Sequence, residues 1–87
     1  MQNKWIILSC GWDPHITEAV NWYEALLSHV IWCGNAREDS DKFNIYKKAF
    51  KGLVDMKEAI ELYNMMHKED AIEYMAKIDE EDYCNVR

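Results

Sequence analysis

Glycine and proline are scarce, with three Gly and one Pro in 87 residues. So little turn material disfavours a sandwich of many short strands and favours helices joined by short connections. Long apolar runs are missing as well. The first, Trp5, Ile6, Ile7 and Leu8, has four residues, too few for the apolar region of a secretory leader and far too few to span a bilayer. Positive charge is in deficit, since 10 Lys and Arg stand against 16 Asp and Glu for a formal net charge of −6. Non-specific binding to DNA or to an anionic membrane surface is therefore disfavoured, because repulsion replaces counterion release. A complete set of cysteine pairs is lacking too: Cys10, Cys33 and Cys84 are an odd number. Free thiols in a reduced cytoplasmic setting are the reading that fits. Nor is there a Gly-rich phosphate cradle, a His-Glu-x-x-His pair, a calcium loop, an internal repeat or a low-complexity run.

What is present describes one small domain spanning residues 1–87. Apolar residues make up 49% and aromatic residues 13%, enough bulk for a core in a chain that buries about 60–65% of its unfolded surface. The negative excess is local. Residues 1–54 carry six basic and six acidic side chains, whereas residues 55–87 carry four and ten, which suits a basic partner or a mimic of nucleic-acid charge.

The pattern predicts an all-α fold, a small bundle of about four short helices behind a short N-terminal apolar segment. That segment, residues 5–8, reads either as a helix turn capped by Asn3 and closed at Gly11, or as a strand. A lone strand would need a second copy to pair with. Asp13 and Pro14 suit the start of a helix over 13–33, and Gly34 suits its end. Its apolar positions, from Ile16, Ala19 and Val20 to Val30 and Ile31, cover nearly half the circumference. A second helix follows a cap at Ser40 or Asp41, with Phe43, Tyr46, Phe50 and Leu53 inward. A third starts at Asp55, with Glu58 three residues on as in a capping box. A fourth buries Ala71, Ile72, Tyr74, Met75 and Ile78, and the acidic end 79–87 is expected to fray. Residues 54–63, with small Ala59 four before aromatic Tyr63, resemble the second helix of a tetratricopeptide repeat. About one repeat is covered, and Lys47 stands where an earlier Gly is usual. The resemblance implies only that the second and third helices form an antiparallel hairpin.

Three constellations could carry chemistry. His29 and Cys33 lie four apart on one helix face, and Cys10 and His15 precede them, a donor set of zinc type. With His15 in the first turn of the 13–33 helix, roughly 20 Å would separate it from Cys33, so no metal is expected and a zinc module is a lesser alternative. A His29–Cys33 catalytic pair fares no better. A helix C-terminus disfavours a thiolate, and no oxyanion loop accompanies the pair. The solvated Glu80 and Glu81 have no apolar pocket to raise a pKa. No enzyme and no cofactor are expected.

Binding surfaces remain. Trp5, Trp12, Trp22 and Trp32 all fall in the first 32 residues. Trp22 borders the apolar stripe and reads as core, whereas Trp32 projects among Asn21, Ala25 and Ser28 on the polar side of its helix. Met65 sits among Lys57, Glu58 and Glu61. Trp32, Trp12, Trp5 and Met65 are the expected partner contacts. Lys47, Lys48 and Lys51 form a stripe that, with nearby aromatics, suits a nucleotide or its phosphates. The function this supports is a non-enzymatic interaction module, an inhibitor or adaptor of a larger intracellular protein and a possible homodimer. Phage and mobile-element proteins that block host defence systems are the model for such a role. A nucleotide-sequestering domain is the alternative.

Overall fold

Alternation with period two, rather than any helical period, governs the N-terminal end of the described chain. The computed structural model describes residues 2–78. The elements run β1 (Asn3–Ser9), β2 (His15–Ala19), α1 (Trp22–Trp32), α2 (Asp41–Lys51), α3 (Met56–Met66) and β3 (Ile72–Ile78). The three strands form one antiparallel sheet in the order β2-β1-β3. The fold is therefore α+β, and the expectation of an all-α bundle of four helices is corrected.

Each misread segment has a physical cause. In β1, Trp5, Ile7 and Ser9 are buried while Lys4, Ile6 and Leu8 are only half-buried, the signature of a strand with one covered face. The segment between 13 and 20 extends the helical phase of α1 only by coincidence. Pro14 leads into a strand, where its missing N–H costs little, and β-branched Ile16 and Thr17 suit the pleat. The helix begins eight residues later than Asp13 suggests, capped by Asn21, whose Oδ1 accepts from the Glu24 N–H at 3.0 Å. Its end is as expected: Gly34 has φ +77°, and Gly34 N–H and Asn35 N–H bond to Ile31 and Val30 carbonyls, a Schellman closure.

The strand in place of the fourth helix is more instructive. β1 pairs Leu8 with Tyr74 but Ser9 with Ile72, which leaves Glu73 as an extra, bulged residue. Ile72 and Met75 consequently share the buried face although they are three apart. That spacing imitates a helix.

The middle helices are as the caps foretold. Ser40 Oγ accepts from the Phe43 N–H at 3.1 Å, and Asp55 Oδ1 accepts from the Glu58 N–H at 2.9 Å. The core lies between the helices and one face of the sheet. Tyr46, Tyr63, Phe50, Ile7, Leu26, His29 and Val30 are its largest fully buried side chains. No helix among the described residues is long and apolar enough to cross a membrane.

Candidate functional site

A polar chain runs through this apolar core. His15 starts β2 on the covered face, and His29 lies one turn before the end of α1. Because β2 folds back along α1, the two rings meet, with Nδ1 to Nδ1 at 2.9 Å. The separation of roughly 20 Å expected from one continuous helix does not hold. His29 Nε2 faces the other way, 3.2 Å from Ser9 Oγ and 3.4 Å from Cys33 Sγ. Asn35 Nδ2 donates to the Tyr63 hydroxyl at 3.1 Å, and the Tyr63 and Cys33 side chains influence each other's titration. Alongside, the Tyr46 hydroxyl and His67 Nε2 are 2.6 Å apart, and His67 Nδ1 is 3.8 Å from Asp70.

Burial is the largest influence on the imidazoles, the thiol and the phenols of this polar chain. It lowers the His29 pKa to about 4, with neighbouring His15 adding to the effect, and it lowers His15 and His67 as well. It pushes the thiol of Cys33 and the hydroxyls of Tyr46 and Tyr63 up. At neutral pH the imidazoles of His15, His29 and His67 are therefore uncharged, and one proton lies between the facing Nδ1 atoms of His15 and His29. Two imidazolium rings would set two N–H groups against each other there.

This arrangement has little to offer a substrate or a metal. Ser9, His29 and His15 have the order of a nucleophile, a base and an orienting group. Yet Ser9 is 6% exposed, His15 6% and His29 not at all. Cys33 is kept a thiol rather than a thiolate. The two nitrogens of His29 diverge, so its neighbours do not converge on one point. No group of three or more potential ligands poised for a metal occurs among the described residues. Cys10 is exposed, and Cys84 lies outside the described residues.

The aromatic residues divide. Trp32 stacks flat on His15, with centroids 4.4 Å apart and planes 6° off parallel, and Trp12 leans on Trp32 at 5.4 Å. They remain 41% and 44% exposed, so the structure brings two of the expected contacts together at the hairpin end of β2. Trp5 it does not: that ring is in the core, with Nε1 donating to the Ala19 carbonyl at 3.1 Å. Trp22 packs on the core edge-on to Tyr23. Met65 is exposed on α3, an element that carries no tryptophan.

Two shallow grooves adjoin the pair. One, of about 540 Å³, runs between α1 and α2 past Trp32, His15, Leu27, Phe43 and Lys47. The other, of about 550 Å³, shares Tyr23 and Lys47 with it and adds Asn44, Lys48 and Lys51. The lysine stripe is thus continuous with the aromatic wall, although Glu24 and Glu38 also line the first groove.

The far side of the sheet is the feature that sequence reasoning missed. Register puts Ile6 beside Ile16 and Ala76, Leu8 beside Tyr74, and Lys4 beside Glu18 and Ile78. These side chains all point away from the helices. Ile16 is 43% exposed and Tyr74 54%, and Val20, just past β2, is 49%. Lys4 and Glu18 are the charged residues of this face, and they sit in register with each other. The period-two alternation of residues 3–9 was the available signal. No protein-family model, no curated protein and no solved structure matches the chain.

Proposed function

We propose that the chain is a non-catalytic interaction module, an inhibitor or adaptor that docks a larger cytoplasmic protein against the open face of its sheet. The observation that carries this reading is that face: Ile6, Leu8, Ile16, Val20, Tyr74 and Ala76 outside the core, with one cross-strand charge pair at its end. Contiguous exposed apolar surface on a small domain is a mark of an interaction site, and a near-neutral face on a chain of net charge −6 selects an apolar, uncharged partner surface. Burial of the Ser9–His29–His15 chain supports a role without catalysis. An action of the kind phage or mobile-element proteins exert on host defence systems is the setting proposed for it, on size and charge alone.

Affinity capture with a set of variants tests the reading. A protein retained by the wild type should be lost with Ile16→Asp and with Tyr74→Asp, and kept with Lys48→Ala, all three being folded by circular dichroism. Retention by both face variants would refute docking on this face.

The continuity of the two grooves favours a second reading, a nucleotide held with its base against Trp32 and Tyr23 and its phosphates on Lys47, Lys48 and Lys51. A nucleoside triphosphate should then raise the melting temperature of the wild type but not of Lys47→Ala/Lys51→Ala. An unchanged wild-type melting temperature at saturating nucleotide removes this reading.

A further inference from the structure

The rings of the buried polar chain also form a continuous path from the surface into the core. Trp12 leans on Trp32 with centroids 5.4 Å apart, and Trp32 stacks on His15 at 4.4 Å and lies 5.7 Å from His29. His29 meets Tyr63 at 6.0 Å, Tyr63 meets His67 at 4.5 Å, and His67 stacks on Tyr46 at 5.7 Å. Every step is a direct ring-to-ring contact. Both tryptophans are exposed, whereas Tyr46 is fully buried.

The two ends of this path differ chemically. The outer end is indole, which loses an electron to a strong one-electron oxidant arriving from solvent. The inner end is a phenol with a base already in place. The Tyr46 hydroxyl and His67 Nε2 are 2.6 Å apart, and the Asp70 carboxylate stands 3.8 Å from His67 Nδ1. A carboxylate on that side favours the tautomer with its proton on Nδ1, so Nε2 accepts and the Tyr46 hydroxyl donates. Burial disfavours an imidazolium at His67, Asp70 offsets part of that, and Lys42 adds to it. A phenol gives up an electron far more readily when its proton leaves with it, because the phenol radical cation is a very strong acid. Tyr63 lacks such a base. Its hydroxyl accepts from Asn35 Nδ2 at 3.1 Å, an amide that takes up no proton. The imidazoles of His15 and His29 are harder to oxidise than indole or phenol, so they bridge the path without holding the radical.

We propose that Tyr46 is a proton-coupled electron donor, and that the ring path carries its electron to a surface tryptophan oxidised by an oxygen-centred radical. The balance is one electron and one proton. The oxidant takes an electron from Trp32 and is reduced. Trp32 recovers an electron from Tyr46 by way of Tyr63, and the phenolic proton crosses to His67 Nε2. The products are a neutral Tyr46 radical, sheltered in the core, and an imidazolium facing Asp70. This activity is independent of docking on the open face, which lies on the other side of the sheet.

Flash oxidation by photogenerated tris(bipyridine)ruthenium(III) tests it, with indole and phenol radicals followed by their separate absorption bands and by electron paramagnetic resonance. In the wild type the indole radical should decay as a tyrosyl radical rises, and more slowly in deuterium oxide because a proton moves with the electron. Tyr46→Phe should abolish that rise while the indole radical persists. His67→Phe keeps a ring in the path but removes the base. It should slow the rise about a hundredfold, the low end of what a positioned base contributes. Tyr23→Phe, beside Trp22, and Tyr74→Phe, exposed on β3, should leave the transfer as in the wild type. Circular dichroism and melting show that each variant is folded, and the isotope effect needs the wild type alone. A wild-type indole radical that decays with no tyrosyl radical, or at equal rates in the two solvents, would overturn the proposal. So would a rise unaffected by Tyr46→Phe or His67→Phe, or one lost with Tyr23→Phe or Tyr74→Phe instead.

Discussion

At the scale of single residues, His29 carries the largest electrostatic liability in the fold. It is fully buried, and its pKa is lowered to about 4 by burial and by His15, with Asp70 and His67 as the other charged or titratable groups that act on it. An unfolded imidazole titrates near 6.5. Between these values the unfolded state binds the proton that the folded ring refuses, so stability falls as pH falls. The loss starts near pH 6.5, continues to about 4, and reaches up to roughly 3 kcal/mol for this group alone. Urea unfolding at pH 7.5 and at pH 4.5 measures it, and equal stability at both would contradict a neutral buried pair. Trp32 belongs to the same cluster. Its ring is more than half buried on His15, so Trp32→Ala should cost about 1–2 kcal/mol. It should also make the loss of stability on acidification smaller, because His15 gains solvent and its pKa rises back toward the ordinary imidazole value. The His29–Cys33 neighbourhood was legible from spacing alone. The arrival of His15 was not, because that depends on a chain reversal between β2 and α1 which no local pattern of apolar residues encodes.

Elements were legible where they carry their own caps. Ser40 and Asp55 declare α2 and α3, Gly34 closes α1, and neither α2 nor α3 needed tertiary information to be placed. Two elements were illegible because their apolar positions imitate another period. The bulge at Glu73 brings Ile72 and Met75 to one face at helical spacing, and Ile16 and Val20 continue the phase of α1 although one belongs to β2 and the other follows it. Asn64 discriminates the strand from the helix experimentally. It satisfies both backbone groups of Ile72, an arrangement with no counterpart in a helix whose backbone bonds internally. Asn64→Leu leaves a donor and an acceptor unpaired and should cost about 1–3 kcal/mol, read by urea unfolding. A neutral effect would argue that residues 72–78 do not form this strand.

At the scale of the whole molecule, three helices cover one face of a three-stranded sheet, and no other element among the described residues covers the opposite face. Antiparallel sheets commonly solvate one face, but then that face alternates towards polar residues. Here the alternation puts apolar side chains on both faces. That departure is what the proposed docking rests on, and it came into view only once register placed Ile6, Ile16 and Ala76 side by side. The most direct test is photo-crosslinking in the native host from a reactive side chain placed at Ile16, on the open face, or at Lys48, on α2. The account predicts a discrete adduct heavier than two copies of the chain from position 16 and none from position 48. An adduct from position 48 with none from position 16 would contradict it.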